Sequence, residues 1–272
     1  MKKYSFIYIL ILLLSFSSCE EKINIHPENS DEKVVVEAIF CDNPLVSYMR
    51  LSKSKGIYES ITNHPKITDA IVKVTDETTG DVIDFIYDSS DAKYKSFTTG
   101  IPGHVYRLDI EAEGQHITAR QTMTSKIDLD RVISVPLDDD PNTYYLKMQF
   151  DDPPGQQDFY LFIMQPMDPN AGLEPRFTVL SDLAYDPTER TLSVTDEIFH
   201  KNEDWIVLFF HIDIKNYNYL KVILRAMKSL QNGSHPFYGL SLGNPQNTVE
   251  GESVLGYFLV SPVSLSPIHI GN

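Results

Sequence analysis

The sequence predicts a mainly β protein, and three observations carry that prediction. From Lys33 to about Met123, short β-branched runs alternate with turn residues. Beyond Asp128 the period of two returns, with Tyr144, Leu146, Met148 and Phe150 on one face of a strand and Phe159, Leu161 and Ile163 on one face of the next. Only Tyr217 to Leu230 changes to helical spacing, through Leu220, Ile223, Leu224, Met227 and Leu230.

In chain order, strands are expected over Lys33 to Phe40, Val46 to Ser52, Ala70 to Thr75, Val82 to Tyr87 and Tyr94 to Thr98. Val105 to Ala112 follows, with Tyr106, Leu108, Ile110 and Ala112 facing one way and Val105, Arg107, Asp109 and Glu111 the other. Glu113-Gly114 offers a tight turn into Gln115 to Met123. That makes an immunoglobulin-like N-terminal β-sandwich, residues 33–125, by strand count. The second region, 126–272, reads as a β-rich domain with one amphipathic helix. Its DDPPGQQD segment is a loop, Trp205 to Ile214 is a strand buried on both faces, and Asn232-Gly233 stops the helix.

The N-terminus speaks about location. Lys2 and Lys3 form a basic region, Tyr4 to Leu14 an apolar run too short for a comfortable membrane span, and Ser15 to Ser18 a small-residue approach to Cys19. Residues 1–18 therefore read as a lipoprotein signal peptide, with Cys19 the acylated residue. Residues 19–32 form the lipidated cysteine and a polar tether, and the twelve residues from Glu20 to Asp31 reach at most about 40 Å. Removing 18 of the 272 residues leaves 254 and takes the formal charge from −15 to −17, because Lys2 and Lys3 go with the signal. Cys41 is then the remaining thiol, and alternation puts it on the face of Val35 and Ile39 as a small buried hydrophobe.

With 38 acidic against 23 basic residues, the surface repels polyphosphate, which argues against nucleic-acid binding and against adhesion to anionic headgroups.

The order of features, from the lipid-type signal through VVVEAIF, ITDAIVKVTDETTG and IPGHVYRLDIEAEGQHITARQTM to VLSDLAYD, NYNYLKVILRAM and GNPQNTVEGESVLGYFLVS, resembles the Bacteroidota lipoproteins of the DUF4249 family. The closing segment departs from the family's glycine-rich form, Glu250 to Ser253 carrying only Gly251. The resemblance implies a cell-envelope lipoprotein of undefined activity, anchored to the outer membrane and associated with a TonB-dependent transporter. It brings no chemical signature with it. Glu20-Glu21 resembles the acidic stretch that favours export to the outer face of such membranes.

Candidate chemistry is sparse. Gly239-Leu240-Ser241-Leu242-Gly243 fits G-x-S-x-G, but Asn244-Pro245 follows at once where a nucleophile elbow requires a helix, and the partners would be Glu250 or Glu252 and His269. The eight histidines, His200 and His211 among them, show no transition-metal spacing. For calcium, hard oxygen ligands are offered by Asp151, Asp152 and Asp158 in one loop, and by Asp138, Asp139 and Asp140 at the far end of the adjoining strand, roughly 25 Å away. The glycosylation pattern Asn232-Gly233-Ser234 reads as a turn. Among the aromatics, Tyr144, Tyr145, Tyr160 and Trp205 hold core-like positions, whereas Tyr217, Tyr219, Phe237 and Tyr238 flank the helix as a surface cluster for a partner or a glycan. The expectation is a non-enzymatic accessory binding or interaction subunit of an uptake system, without a cofactor. A structural or adhesive envelope protein is the alternative, and an envelope hydrolase the third.

Overall fold

The computed structural model describes residues 32–54, 64–153, 157–182, 191–231, 243–249 and 252–271. The architecture is mainly β. Seven strands open it: β1 (Val34–Phe40), β2 (Tyr48–Lys53), β3 (Ile71–Asp76), β4 (Val82–Asp88), β5 (Lys93–Lys95), β6 (Val105–Ala112) and β7 (Gln115–Thr122). These are the seven expected from alternation. β5 is the shortest, because the chain leaves the sheet after Lys95 and Phe97 stands 88% exposed. The β6–β7 hairpin turns at Glu113 (φ 52°) and Gly114 (φ 72°), the left-handed pair that suits the right-handed twist of two strands.

These strands join β14 (Gln246–Asn247) and β15 (Leu255–Val260) in a nine-stranded sheet of order β14-β7-β6-β3-β4-β5-β2-β1-β15. The sheet folds over at β4, whose Val82 to Phe85 pair with β3 while Ile86 to Asp88 pair with β5. Its two halves close on one core, where Phe40 of β1 meets Tyr106 of β6 edge-on at 4.9 Å between ring centres. The sandwich is thus built from strands on both sides of residue 125. β15 lies parallel to β1, in register Val36 with Gly256 and Phe40 with Val260. Gly256 is required there: its φ is +115°, and a Cβ would come within 1.8 Å of the Val36 carbonyl oxygen.

The remaining strands form a second sandwich. A four-stranded sheet runs in the order β11 (Arg176–Ser181), β10 (Phe159–Pro166), β13 (Asp204–Ile212), β16 (Val263–His269). It faces a three-stranded sheet of β12 (Thr191–His200), β9 (Asp140–Phe150) and β8 (Leu129–Leu137). Tyr144, Leu146, Met148 and Phe150 point from β9 into the core between them, as alternation predicts, and meet Tyr160, Phe162, Trp205, Val207 and Phe209.

The opposite face of β10 and β13, with Phe159, Leu161, Ile163, Leu208, Phe210 and Ile212, is buried too. It packs on Ile39, Cys41 and Leu259 from the outer face of the first sandwich and on the single helix among the described residues, α1 (Ile214–Gln231). Fully burying each such side chain is worth about 1.5–3 kcal/mol, so this third core fuses residues 32–271 into one body. α1 starts three residues before the periodicity suggests, because Asp213 caps it, its Oδ1 accepting the Asn216 amide at 2.8 Å. Its first half docks through Tyr219 and Leu220. Leu224 is half-buried and Met227 47% exposed, so the apolar stripe is only partly covered.

Candidate functional site

Among the described residues, the acidic loop between β9 and β10 contributes to a three-carboxylate cluster. The loop sets down Asp152 and Asp158 on the way into β10, and antiparallel pairing of Phe159 with Ser181 brings Asp182 alongside, its amide donating to the Asp158 carbonyl at 3.2 Å. Carboxylate oxygens of Asp152, Asp158 and Asp182 lie within 4.8 Å of one another. Tyr160 donates its hydroxyl to Asp152. Nε2 of buried His211 lies 2.8 Å from Asp158 Oδ1, and its Nδ1 lies 3.2 Å from the Ser125 carbonyl oxygen, so both ring nitrogens face oxygens. Burial pushes the Asp152 carboxyl up from its ordinary value, Tyr160 opposes that shift, and the charges of Asp158 and Asp182 add to it.

The trio differs from the one grouped by sequence. Asp151 is exposed and stands outside the cluster, since neighbours on an extended chain point to opposite sides. Asp182 replaces it from the far end of β11, and no local signal announces it: only strand register does. Three carboxylates carry six oxygens, but Asp152 Oδ1 already accepts the Tyr160 hydroxyl and Asp158 Oδ1 lies against His211 Nε2, so fewer than six remain for calcium, which takes six to eight. At the other end of β9, Asp140 is engaged locally, accepting the Asn142 amide at 2.9 Å and the Thr143 hydroxyl.

The proposed aromatic surface cluster is divided by the fold. Tyr219 is 7% exposed, its ring inside the third core, and burial pushes its pKa to about 12. This corrects its reading as a surface residue: helical phase turns it toward Tyr257, 6.2 Å away between ring centres. Tyr217 is half-buried against Phe159 at 4.8 Å and carries Lys221 across its face. Phe237 and Tyr238 lie outside the described residues. Tyr144, Tyr160 and Trp205 are buried.

Of the G-x-S-x-G pattern, Gly239 to Leu242 lie outside the described residues, as do Asn232 to Ser234 and Glu250. Gly243 to Pro245 are not helical: Asn244 offers its side-chain amide to the edge of β15, accepting from the Phe258 amide and donating to its carbonyl, each at 2.7 Å. Glu252 is exposed, and Nδ1 of His269 is 2.8 Å from Asp204 on the neighbouring strand. His200 is exposed at the end of β12. Cys19 lies outside the described residues. Cys41 is fully buried beside Ile39, as its phase on β1 predicts, and burial raises its thiol to about 11 while Ser47 and the Asn43 carbonyl pull the other way.

Comparisons with known proteins give a family and little chemistry. The model of the family described as "Domain of unknown function (DUF4249)" matches residues 20–265. No curated protein matches the chain. Among solved structures, a two-domain fibronectin type-III segment of chicken tenascin is similar over 66% of this chain and 91% of that one, at 11% identity and a TM-score of 0.23.

Proposed function

The chain belongs to the DUF4249 family, and from that membership we propose that it is a lipid-anchored protein of the bacterial outer membrane, an accessory binding subunit beside a TonB-dependent transporter. The observation that carries this reading is an agreement of boundaries. The expected signal peptide ends at Ser18, just before Cys19, and the family match starts at residue 20, so the shared part falls within the chain that lipoprotein processing would leave behind the acylated cysteine. A diacylglycerol on the thiol already brings two acyl chains, and a further chain such as palmitate makes three, enough for stable attachment where one is marginal.

The partner follows from reach and charge. A tether of at most about 40 Å confines the folded body to what is in or near the membrane, and shared anchoring raises the effective concentration of neighbours. A mature charge of −17 repels anionic headgroups, which leaves a protein surface as the target.

Intact-mass analysis of the membrane fraction is expected to show diacylglycerol on Cys19, and Cys19→Ala is expected to move the protein to the soluble fraction. Equal membrane retention of that variant overturns the anchor. Affinity purification of the lipidated protein in mild detergent tests the partner. Repeated recovery without any transporter, under conditions that keep other envelope complexes whole, rejects the uptake role in favour of a structural or adhesive one.

A further inference from the structure

β15 ends the nine-stranded sheet, bonded along one side to β1. On its other side, among the described residues, side-chain amides take the place of a neighbouring strand. The Phe258 amide and carbonyl both meet Asn244, the same carbonyl accepts from Nδ2 of Asn216 at 3.2 Å, and the Val260 amide donates to Oε1 of Gln121 at 3.2 Å. Gln121 comes from β7, Asn216 from the first turn of α1, and Asn244 from the segment that leads into β14. They also bond one another: Gln121 Oε1 accepts from Asn216 Nδ2 at 3.1 Å and from Asn244 Nδ2 at 3.4 Å. This seam joins the helix to the first sandwich.

Two of its atoms are left over. Gln121 is 6% exposed and Asn216 1%, and neither Nε2 of the first nor Oδ1 of the second has a partner among the described residues. Exchanging the ends of either amide does not help. Turned over, Gln121 would set an N–H group against the Val260 amide, and Asn216 would set an oxygen against the Phe258 carbonyl and Gln121 Oε1, so the neighbours fix both orientations.

A buried amide atom left unmet carries its full desolvation penalty, and native folds meet nearly all such atoms with protein groups or ordered water. The missing group must accept from Gln121 and donate to Asn216. A cation would serve only the oxygen and an anion only the N–H. One water oxygen serves both, and buried waters hold about three bonds of this kind. The two atoms are the remaining ends of amides already joined to each other at 3.1 Å.

We propose that this seam is a binding site for one buried water, which bridges Gln121 Nε2 to Asn216 Oδ1 and ties the first turn of α1 to β7. The ligand is neutral and both gives and takes a hydrogen bond at a single atom. The site rests on neither the membrane anchor nor the transporter.

A crystal structure of the full mature chain, at a resolution that shows ordered water, should place one water about 3 Å from both atoms. In solution, the side-chain amide protons of Gln121 should give a nuclear Overhauser effect to water with the sign of a long-lived water, whereas those of exposed Asn170 should give the sign of rapid exchange. Asn216→Leu removes the second partner of the water and should abolish the Gln121 signal. That variant replaces a buried polar group at a helix start, so the two measurements on the unaltered chain test the site even where it does not fold. The proposal is overturned by a direct bond between Nε2 and Oδ1, by a residue of the stretch 232–242 bonded to either atom, by water on only one of them, or by a folded Asn216→Leu chain that keeps the signal.

Discussion

At the residue scale, ionisable groups take their character from what the fold places beside them. Asp76 is 5% exposed at the β3–β4 turn; burial alone would raise its pKa, but Nδ1 of His104 at 2.7 Å and the amides of Thr78 and Thr79 outweigh that and hold it below its ordinary value. A depressed carboxylate stabilises the fold above the unfolded value of 3.8, and that contribution is lost as pH falls through the lower folded value. Asp76→Ala should therefore cost about 1–3 kcal/mol at neutral pH, with a deficit that shrinks below pH 3.8. Chemical denaturation of both proteins across pH checks this, and a deficit that grows on acidification contradicts it. Cys41 shows the opposite influence: burial raises its thiol and removes its nucleophilic character, whereas the anchor proposed at Cys19 is read from the run of residues before it.

At the element scale, α1 separates a spacing from its meaning. The spacing of Leu220, Ile223, Leu224 and Met227 was legible and so was the helix, but which part of the stripe docks was not. The first half packs against β10 and β15, where Leu220 is 7% exposed, while in the second half Leu224 is half-buried and Met227 47% exposed. Leu220→Ala should accordingly cost about 2–5 kcal/mol, and Leu224→Ala about 1 kcal/mol or less. Equal losses in urea unfolding would place both residues in the core and contradict this.

At the scale of the whole molecule, the returning strand β15 decides what folds with what. Val254, Phe258 and Val260 complete the core of the first sandwich, and Leu259 enters the core shared with the second. A fragment of residues 33–125 keeps seven strands but loses those side chains, and it exposes both the parallel edge of β1 and the apolar face carrying Ile39 and Cys41. It should not give the cooperative unfolding transition that the mature chain gives, and calorimetry on the two proteins checks this. A fragment with its own sharp transition, matching one of two seen in the whole chain, would show two independent domains.

The sequence by itself determined the period-two strands of both regions, the helix, the phase of Cys41 and the family, because each is written in residues close along the chain. It also named Asp152 and Asp158 as neighbours across one loop. Only the tertiary structure decided that Asp182 joins them, that β15 closes the first sandwich, that Tyr219 is core, and that Arg176 lies on two buried rings. The physical reason is shared by all four. Alternation fixes which face a side chain takes, but strand register and layer stacking fix what it meets there, and those follow from burying apolar surface across the whole chain rather than from any short stretch of it.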